Sequence, residues 1–148
     1  SWHDGIAMLR LSGAAAGVKV AREKLGGELI ADAQDFWRQL RDHRAEFFDG
    51  AEPLWRLSVP STTPSLSLDL PQLIEWGGAL RWVKGSTDAK VLREKVAAIG
   101  GHATLFRHGG KSVGAFHPLA PVLAKIHANL KIAFDPENIL NPGRMDNF

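Results

Sequence analysis

The stretch LIEWGGALRWVK, residues 73–84, decides the fold class of this chain. Apolar side chains are frequent on both sides of Gly77-Gly78, in two runs that are short enough to be strands. A Gly-Gly pair supplies the positive backbone φ angles that a tight hairpin turn requires. The stretch therefore predicts two antiparallel strands joined at Gly77-Gly78.

Further strands and helices are predicted on both sides of this hairpin. Short apolar runs bounded by turn residues predict strands at residues 6–11, 28–30, 54–59 and 103–107. Apolar residues at helical spacing predict helices at residues 14–25 and 118–134, and two more between them. Of these two, one is capped by Asp32 and carries Phe36, Leu40 and Phe47, and the other is capped by Ser86 or Thr87 and carries Leu92, Val96 and Ile99.

The order of these segments leaves two sheet types to compare. Alternating strands and helices are compatible with a parallel α/β sheet. The hairpin and the short helix-to-strand connections favour an α+β fold instead. We expect a ferredoxin-like antiparallel sheet with the helices packed mainly on one face.

The composition sets limits on what the chain does. The 148 residues are 45% hydrophobic and 23% charged, which is typical of one globular domain. The net charge is only +2, and positive and negative residues alternate along the chain, so we expect no nucleic-acid partner. The absence of cysteine excludes disulfides and clusters held by thiolates. No apolar run is long enough for a transmembrane segment. Residues 1–5 resemble no secretory signal, and we interpret them as a cut within a longer protein.

The segment FDPENILNPGRM, residues 134–145, follows the last predicted helix. Asp135-Pro136 ends that helix, because proline disfavours helical geometry in the residue before it. Asn141-Pro142-Gly143 forms a tight bend that presents Arg144. On physical grounds alone this segment is a C-terminal clasp. It also resembles the closing signature of the C-terminal domain of FAD-linked oxidases.

Three further stretches resemble the E subunits of bacterial glycolate oxidases: RLSG at 10–13, LWRLSVPSTTP at 54–64 and IEWGGALRWV at 74–83. The resemblance implies that residues 1–148 are a single cap domain. It also implies that FAD is bound mainly by an N-terminal FAD-binding domain that is absent from this chain. The 148 residues themselves show no glycine-rich strand-to-helix turn of the kind that binds a pyrophosphate. The implied partners are that domain, the D subunit, the iron–sulfur F subunit and a small 2-hydroxy acid. The implied location is the cytoplasm, with peripheral attachment to the inner membrane through the complex as an alternative.

The resemblance also implies positions for site residues, and several of them depart from the family. The arginine that grips the substrate carboxylate falls on Ser58. Arg56, on the same face of its strand, is the candidate replacement, and the alternative is a solvated or structural arginine. Positions of metal ligands fall on Ile74, Arg81 and Arg107, so we expect no metal site.

Four residues stay as further candidates. His108, in RHGG, falls on the proposed proton acceptor, and its alternative is a loop histidine without a chemical role. Arg81 is a candidate anion ligand for the substrate. Asn141 and Arg144 are candidates for contact with the cofactor or with the domain that binds it, and the alternative is a domain-interface contact.

Two functions remain open. In the first, the chain is the substrate-side cap of an FAD-dependent oxidoreductase that oxidises glycolate to glyoxylate. In the second, it is a non-catalytic domain for electron relay or for docking within the oxidase complex. In both, we expect this chain alone to be inactive.

Overall fold

A computed structural model describes residues 1–110 and 113–143, and this part of the chain contains one antiparallel sheet of six strands. The strands are β1 (Trp2–His3), β2 (Ile6–Ala7), β3 (Leu54–Ser58), β4 (Gln72–Glu75), β5 (Leu80–Lys84) and β6 (His102–Arg107), in the spatial order β2-β1-β4-β5-β3-β6. The helices are α1 (Ala15–Leu25), α2 (Gln34–Arg41), α3 (Ala89–Ala97) and α4 (Pro121–Phe134). The predicted α+β class with an antiparallel sheet is confirmed.

The predicted hairpin is the β4–β5 pair. The two strands are antiparallel, with Ile74 opposite Arg81. Gly77 and Gly78 adopt φ angles of 60° and 96°, which a residue with a Cβ atom rarely adopts. A Cβ atom on Gly78 would also lie 2.7 Å from the backbone oxygen of Ser61. The turn therefore needs glycine both for its conformation and for its close approach to the loop after β3.

The sheet has a hydrophobic core on each of its two faces, because successive side chains of a strand point in opposite directions. The α3-side core consists of Trp55, Leu57, Val59, Leu66, Val83, Leu92, Val96 and Ala103. The α2-side core consists of Leu40, Phe47, Phe48, Leu54, Leu73, Leu80 and Trp82. Helix α3 thus covers one face, and α2 with the short 3-10 turn Glu46–Phe48 covers the other. This differs from the expected arrangement, in which the helices pack mainly on one face.

Two predicted strands differ in the structure. Residues 28–30 form no strand, since Gly26 and Gly27 turn the chain with φ angles of 68° and 88° and leave Leu29 65% exposed. The strand predicted at 6–11 is reduced to Ile6–Ala7, which pairs with β1.

The caps of two helices also differ from the prediction. Helix α2 has Ala33 at its N-cap, and Asp32 instead adopts a φ angle of 51° in the preceding turn. Helix α3 is capped by Asp88, whose carboxylate accepts hydrogen bonds from the backbone N–H groups of Lys90 and Val91 at 2.8 and 3.0 Å. Neither Ser86 nor Thr87 is the capping residue.

Helix α4 begins at Pro121 rather than at residue 118, with the proline in the first turn, where its missing N–H is not needed. Its predicted apolar face is not buried, because Leu123, Ile126 and Leu130 are 50%, 48% and 51% exposed. The side of α4 that is partly covered carries Ala124, His127, Ala128 and Lys131. In the described part of the chain, no helix has the length and apolarity needed to cross a bilayer.

Candidate functional site

The two candidate substrate arginines lie on opposite faces of the sheet. Arg56 in β3 is opposite Trp82 of β5, on the face of the α2-side core. Arg81 is opposite Leu57, on the face of the α3-side core. The sheet itself therefore separates the two guanidinium groups, so they cannot grip one small carboxylate together.

Arg81 is buried, with 2% of its surface exposed, and it holds the loop that follows β3. Its Nη1 donates to the backbone oxygen of Pro64 at 2.7 Å, and its Nε donates to that of Gly78 at 3.3 Å. Its Nη2 donates to the backbone oxygen of Thr63. Burial lowers the pKa of Arg81 from its ordinary value. A substrate carboxylate would have to compete with these carbonyl groups, and the substrate role of Arg81 stays a prediction.

Arg56 lies half-buried in the middle of β3. Its register confirms the shared face with Ser58, because these two residues lie opposite Trp82 and Leu80, which both belong to the α2-side core. Within residues 1–110 and 113–143, the Arg56 side chain makes no hydrogen bond or ion pair with another group of the chain. Its role as a carboxylate ligand is compatible with this geometry and stays a prediction.

His108 is exposed and follows the last residue of β6. It adopts a φ angle of 58°, so the chain turns at this residue. Thr104 is opposite Arg56, and the four residues from Thr104 to His108 span about 13 Å at about 3.3 Å per residue. This distance is an upper limit, since the register shift near the end of β6 and the turn at His108 both shorten it.

An aromatic cluster that the sequence did not predict surrounds His43. Its ring stacks on Phe48, with centroids 4.4 Å apart, and meets the edges of Trp82 and Phe106 at 4.7 and 5.5 Å. Nη2 of Arg107 lies 3.3 Å from Nδ1 of His43. The sequence analysis placed Phe47 on the apolar face of the second helix, but α2 ends at Arg41, and Phe47 and Phe48 lie in the separate 3-10 turn. No local pattern indicated this cluster.

The turn after α4 is organised by the buried carboxylate of Asp135. It accepts hydrogen bonds from the backbone N–H groups of Ile139 and Leu140, both at 2.9 Å, and pairs with Lys131. The hydrogen bond from Lys131, followed by the two backbone donors, lowers the pKa of Asp135 against the opposing effect of desolvation. Asn141 is exposed beyond this turn, with a φ angle of 46°. Arg144 lies outside the described residues, and the cofactor-side roles of both residues stay predictions.

A surface pocket of about 550 Å³ lies beside α3, away from the predicted site residues. Its lining includes Lys90, Arg93 and His117 together with the carboxylates of Asp88 and Glu94. Arg93 donates to two backbone oxygens of the wall, those of residues 113 and 114, at 2.9 and 2.7 Å. These bonds make Arg93 part of the wall of the pocket.

The described residues do not fit a complete dinucleotide site or a metal site. A pyrophosphate cradle needs several glycines where a strand turns directly into a helix. The β2–α1 connection has only Gly13, and Gly109, Gly110 and Gly114 of the β6–α4 connection lie well before α4 begins at Pro121. The pocket beside α3 is lined by two carboxylates as well as by Lys90 and Arg93, so it offers no excess of positive charge to a pyrophosphate. In the described ranges, no three His, Asp or Glu side chains are close enough to hold a metal ion.

The chain was compared with protein-family models, curated proteins and solved structures. No protein-family model and no solved structure matched the chain. The glycolate oxidase subunit GlcE of Escherichia coli (strain K12) is 43% identical to it over 144 residues. The match covers 97% of this chain, and the chain spans only 40% of the length of that protein. Along nearly its whole length, the chain is therefore a relative of one segment of the glycolate oxidase subunit GlcE.

Proposed function

We propose that this chain is the substrate-side cap domain of an FAD-dependent 2-hydroxy acid oxidoreductase, and that the enzyme oxidises glycolate to glyoxylate. The similarity to a segment of GlcE, at 43% identity, is the observation that carries this proposal. FAD supplies the redox chemistry and is held mainly by another domain, since the described residues lack a dinucleotide cradle.

The outward apolar side of α4 supports a cap that packs against another domain. Val122 and Phe134 are 72% and 82% exposed, and no residue of this helix is buried. A contiguous apolar surface of this kind indicates contact with another protein surface rather than with water. The turn that carries Asn141 follows directly, so Asn141 and Arg144 are the proposed residues at the cofactor side of that contact.

In the proposed site, His108 accepts the hydroxyl proton of the substrate and Arg56 binds its carboxylate. A neutral histidine is a competent proton acceptor near neutral pH. A guanidinium group offers paired donors to a carboxylate. We assign Arg81 to positioning the loop after β3, because its donors are bonded to backbone oxygens.

The second candidate is a non-catalytic domain that docks the D and F subunits or relays electrons between them. The separation of Arg56 and Arg81 by the sheet favours it, because no paired arginine clamp forms. The name of the relative describes that protein as a subunit, which is compatible with a docking role.

Anaerobic reduction of the bound flavin by glycolate tests the first proposal against the second. The experiment uses the whole polypeptide that carries this chain, purified without its partner subunits. We expect bleaching of the oxidised flavin, and a loss of about 100-fold or more in its rate for His108→Asn. The control is His102→Asn, an exposed histidine at the other end of β6. No bleaching with the polypeptide alone, followed by bleaching when the D subunit is added, would support the docking role.

A second experiment tests the contact surface of α4. Leu123→Ser combined with Ile126→Ser should leave the folding stability of this chain nearly unchanged, since both side chains are about half exposed. In the whole polypeptide the same pair should lower the flavin content. The control is Lys125→Ser, at an exposed position of the same helix. Full flavin content in the double variant would remove α4 from the domain contact.

A further inference from the structure

The arrangement around His43 constrains its protonation state. An arginine side chain only donates hydrogen bonds, so Nδ1 of His43 must accept the bond from Nη2 of Arg107 at 3.3 Å. This bond therefore requires a neutral ring with its proton on Nε2. The aromatic neighbours Phe48, Trp82 and Phe106 leave the ring little freedom to turn away.

The charged groups around the ring act in opposite directions. Burial is the main cause that lowers the pKa of His43, and Arg107 of β6 lowers it further. Glu75 at the end of β4 raises it, and its Oε2 accepts a hydrogen bond from Nε1 of Trp82 at 2.9 Å. Phe48 of the 3-10 turn and Trp82 of β5 face the ring with groups that do not titrate in this range.

Arg107 is the last residue of β6, and the loop that begins with residues 108–110, called the His108 loop below, starts directly after it. Its guanidinium lies over the ring of Phe106, 5.4 Å from the centroid, in addition to its bond with His43. The pairing of β3 with β6 is irregular at this end. Trp55 is opposite Leu105, whereas its neighbour Leu54 is opposite Arg107. The side-chain bond to His43 therefore adds to the backbone pairing of Arg107 with Leu54 at the place where the loop leaves the sheet.

We propose that His43 is a positioning residue for the His108 loop, in which its unprotonated Nδ1 holds Arg107 in place and protonation of the ring releases it. Protonation removes the only acceptor site on Nδ1 and places a second positive charge beside the guanidinium. The loop then loses its anchor at the end of β6. The functional consequence rests on the proposed role of His108 as proton acceptor, but the release itself does not.

The test is nuclear magnetic resonance of the whole polypeptide, labelled at histidine and glycine. The measurements use a His108→Asn background, so that the loop carries no ionisable histidine, and we expect the signals of Gly109 and Gly110 to shift with the titration of His43. In Arg107→Met, the midpoint of the His43 titration should rise, and the loop signals should no longer follow it. The matched control is Arg38→Met, which removes an exposed arginine that pairs with Asp35. Loop signals that are independent of His43, or an unchanged His43 midpoint in Arg107→Met, would overturn the proposal.

A second variant covers the case in which Arg107→Met does not fold. In the same His108→Asn background, His43→Gln keeps an acceptor oxygen but does not titrate, so it should hold the signals of Gly109 and Gly110 constant through the acidic range. Loop signals that still shift in His43→Gln over the range of the wild-type His43 titration would also overturn the proposal. Flavin reduction by glycolate is measured separately, on the polypeptide that keeps His108. Its absence together with an intact His43–Arg107 coupling would overturn the proposed function and leave the positioning role standing.

Discussion

The effect of Arg81→Ala on folding stability distinguishes a structural role of Arg81 from a role in substrate binding. The side chain is 2% exposed and donates to the backbone oxygens of Thr63, Pro64 and Gly78. A free substrate ligand could be removed with little effect on folding. Removal of an arginine that connects a loop to a hairpin through hydrogen bonds should lower the free energy of unfolding.

The expected loss follows from the quality of these bonds. Hydrogen bonds to charged groups contribute about 1.5–3 kcal/mol each. The bonds from Nη1 and Nη2 are close, whereas the bond from Nε is long, at 3.3 Å, and adds little. Water can reach the loop carbonyls of Thr63 and Pro64, which are not buried, and part of the loss is recovered in this way. We therefore expect Arg81→Ala to lower the free energy of unfolding by about 2–4 kcal/mol. Arg81→Lys keeps the charge but only one strong bond, and should lose about half as much.

Urea unfolding of this chain, extrapolated linearly to water, measures the loss. The control is Arg56→Ala, a half-buried arginine of the adjacent strand, for which we expect a change below about 1 kcal/mol. Protease should also cleave the loop at residues 60–66 faster in Arg81→Ala. An Arg81→Ala variant as stable as Arg56→Ala would refute the structural role and return Arg81 to the substrate candidates.

The structure predicts the outcomes of three other substitutions. Asp88→Ala removes the carboxylate that caps α3 and should lower the free energy of unfolding by about 1 kcal/mol. Asp88→Asn should be nearly as stable as the wild type, and equal losses in the two variants would contradict the capping role. Gly101→Ala places a Cβ atom 2.5 Å from the backbone oxygen of Ser58 and should cost about 2 kcal/mol or more, whereas a neutral result would show that β3 moves aside. Nδ1 of His117 accepts a hydrogen bond from the backbone N–H of Ala103 at 3.3 Å, and burial, with nearby positive charges, lowers its pKa. The contribution of His117 to stability is therefore full above about pH 6.5, the ordinary histidine pKa, and is lost as the pH falls below that value. In His117→Asn the free energy of unfolding should depend less steeply on pH in this range. An unchanged slope would contradict this assignment.

Several features follow from the local sequence alone. The Gly77-Gly78 turn, the flanking apolar runs and the apolar spacing in α3 predicted the hairpin, the antiparallel α+β class and a helix that buries Leu92 and Val96. These features are set by residues close in the chain, because turn conformation and strand or helix periodicity are local properties. Similarity to a glycolate oxidase subunit was likewise available from the sequence.

Only the tertiary structure decided which distant groups meet. The bond between Arg107 and His43 joins residues 64 positions apart, and Arg81 reaches Pro64 across 17 positions. The separation of Arg56 from Arg81 depends on how β3 and β5 pair, and no local pattern encodes that register. The periodicity of α4 identified its apolar side but not whether the fold covers it, since burial depends on which surfaces the rest of the chain brings within reach.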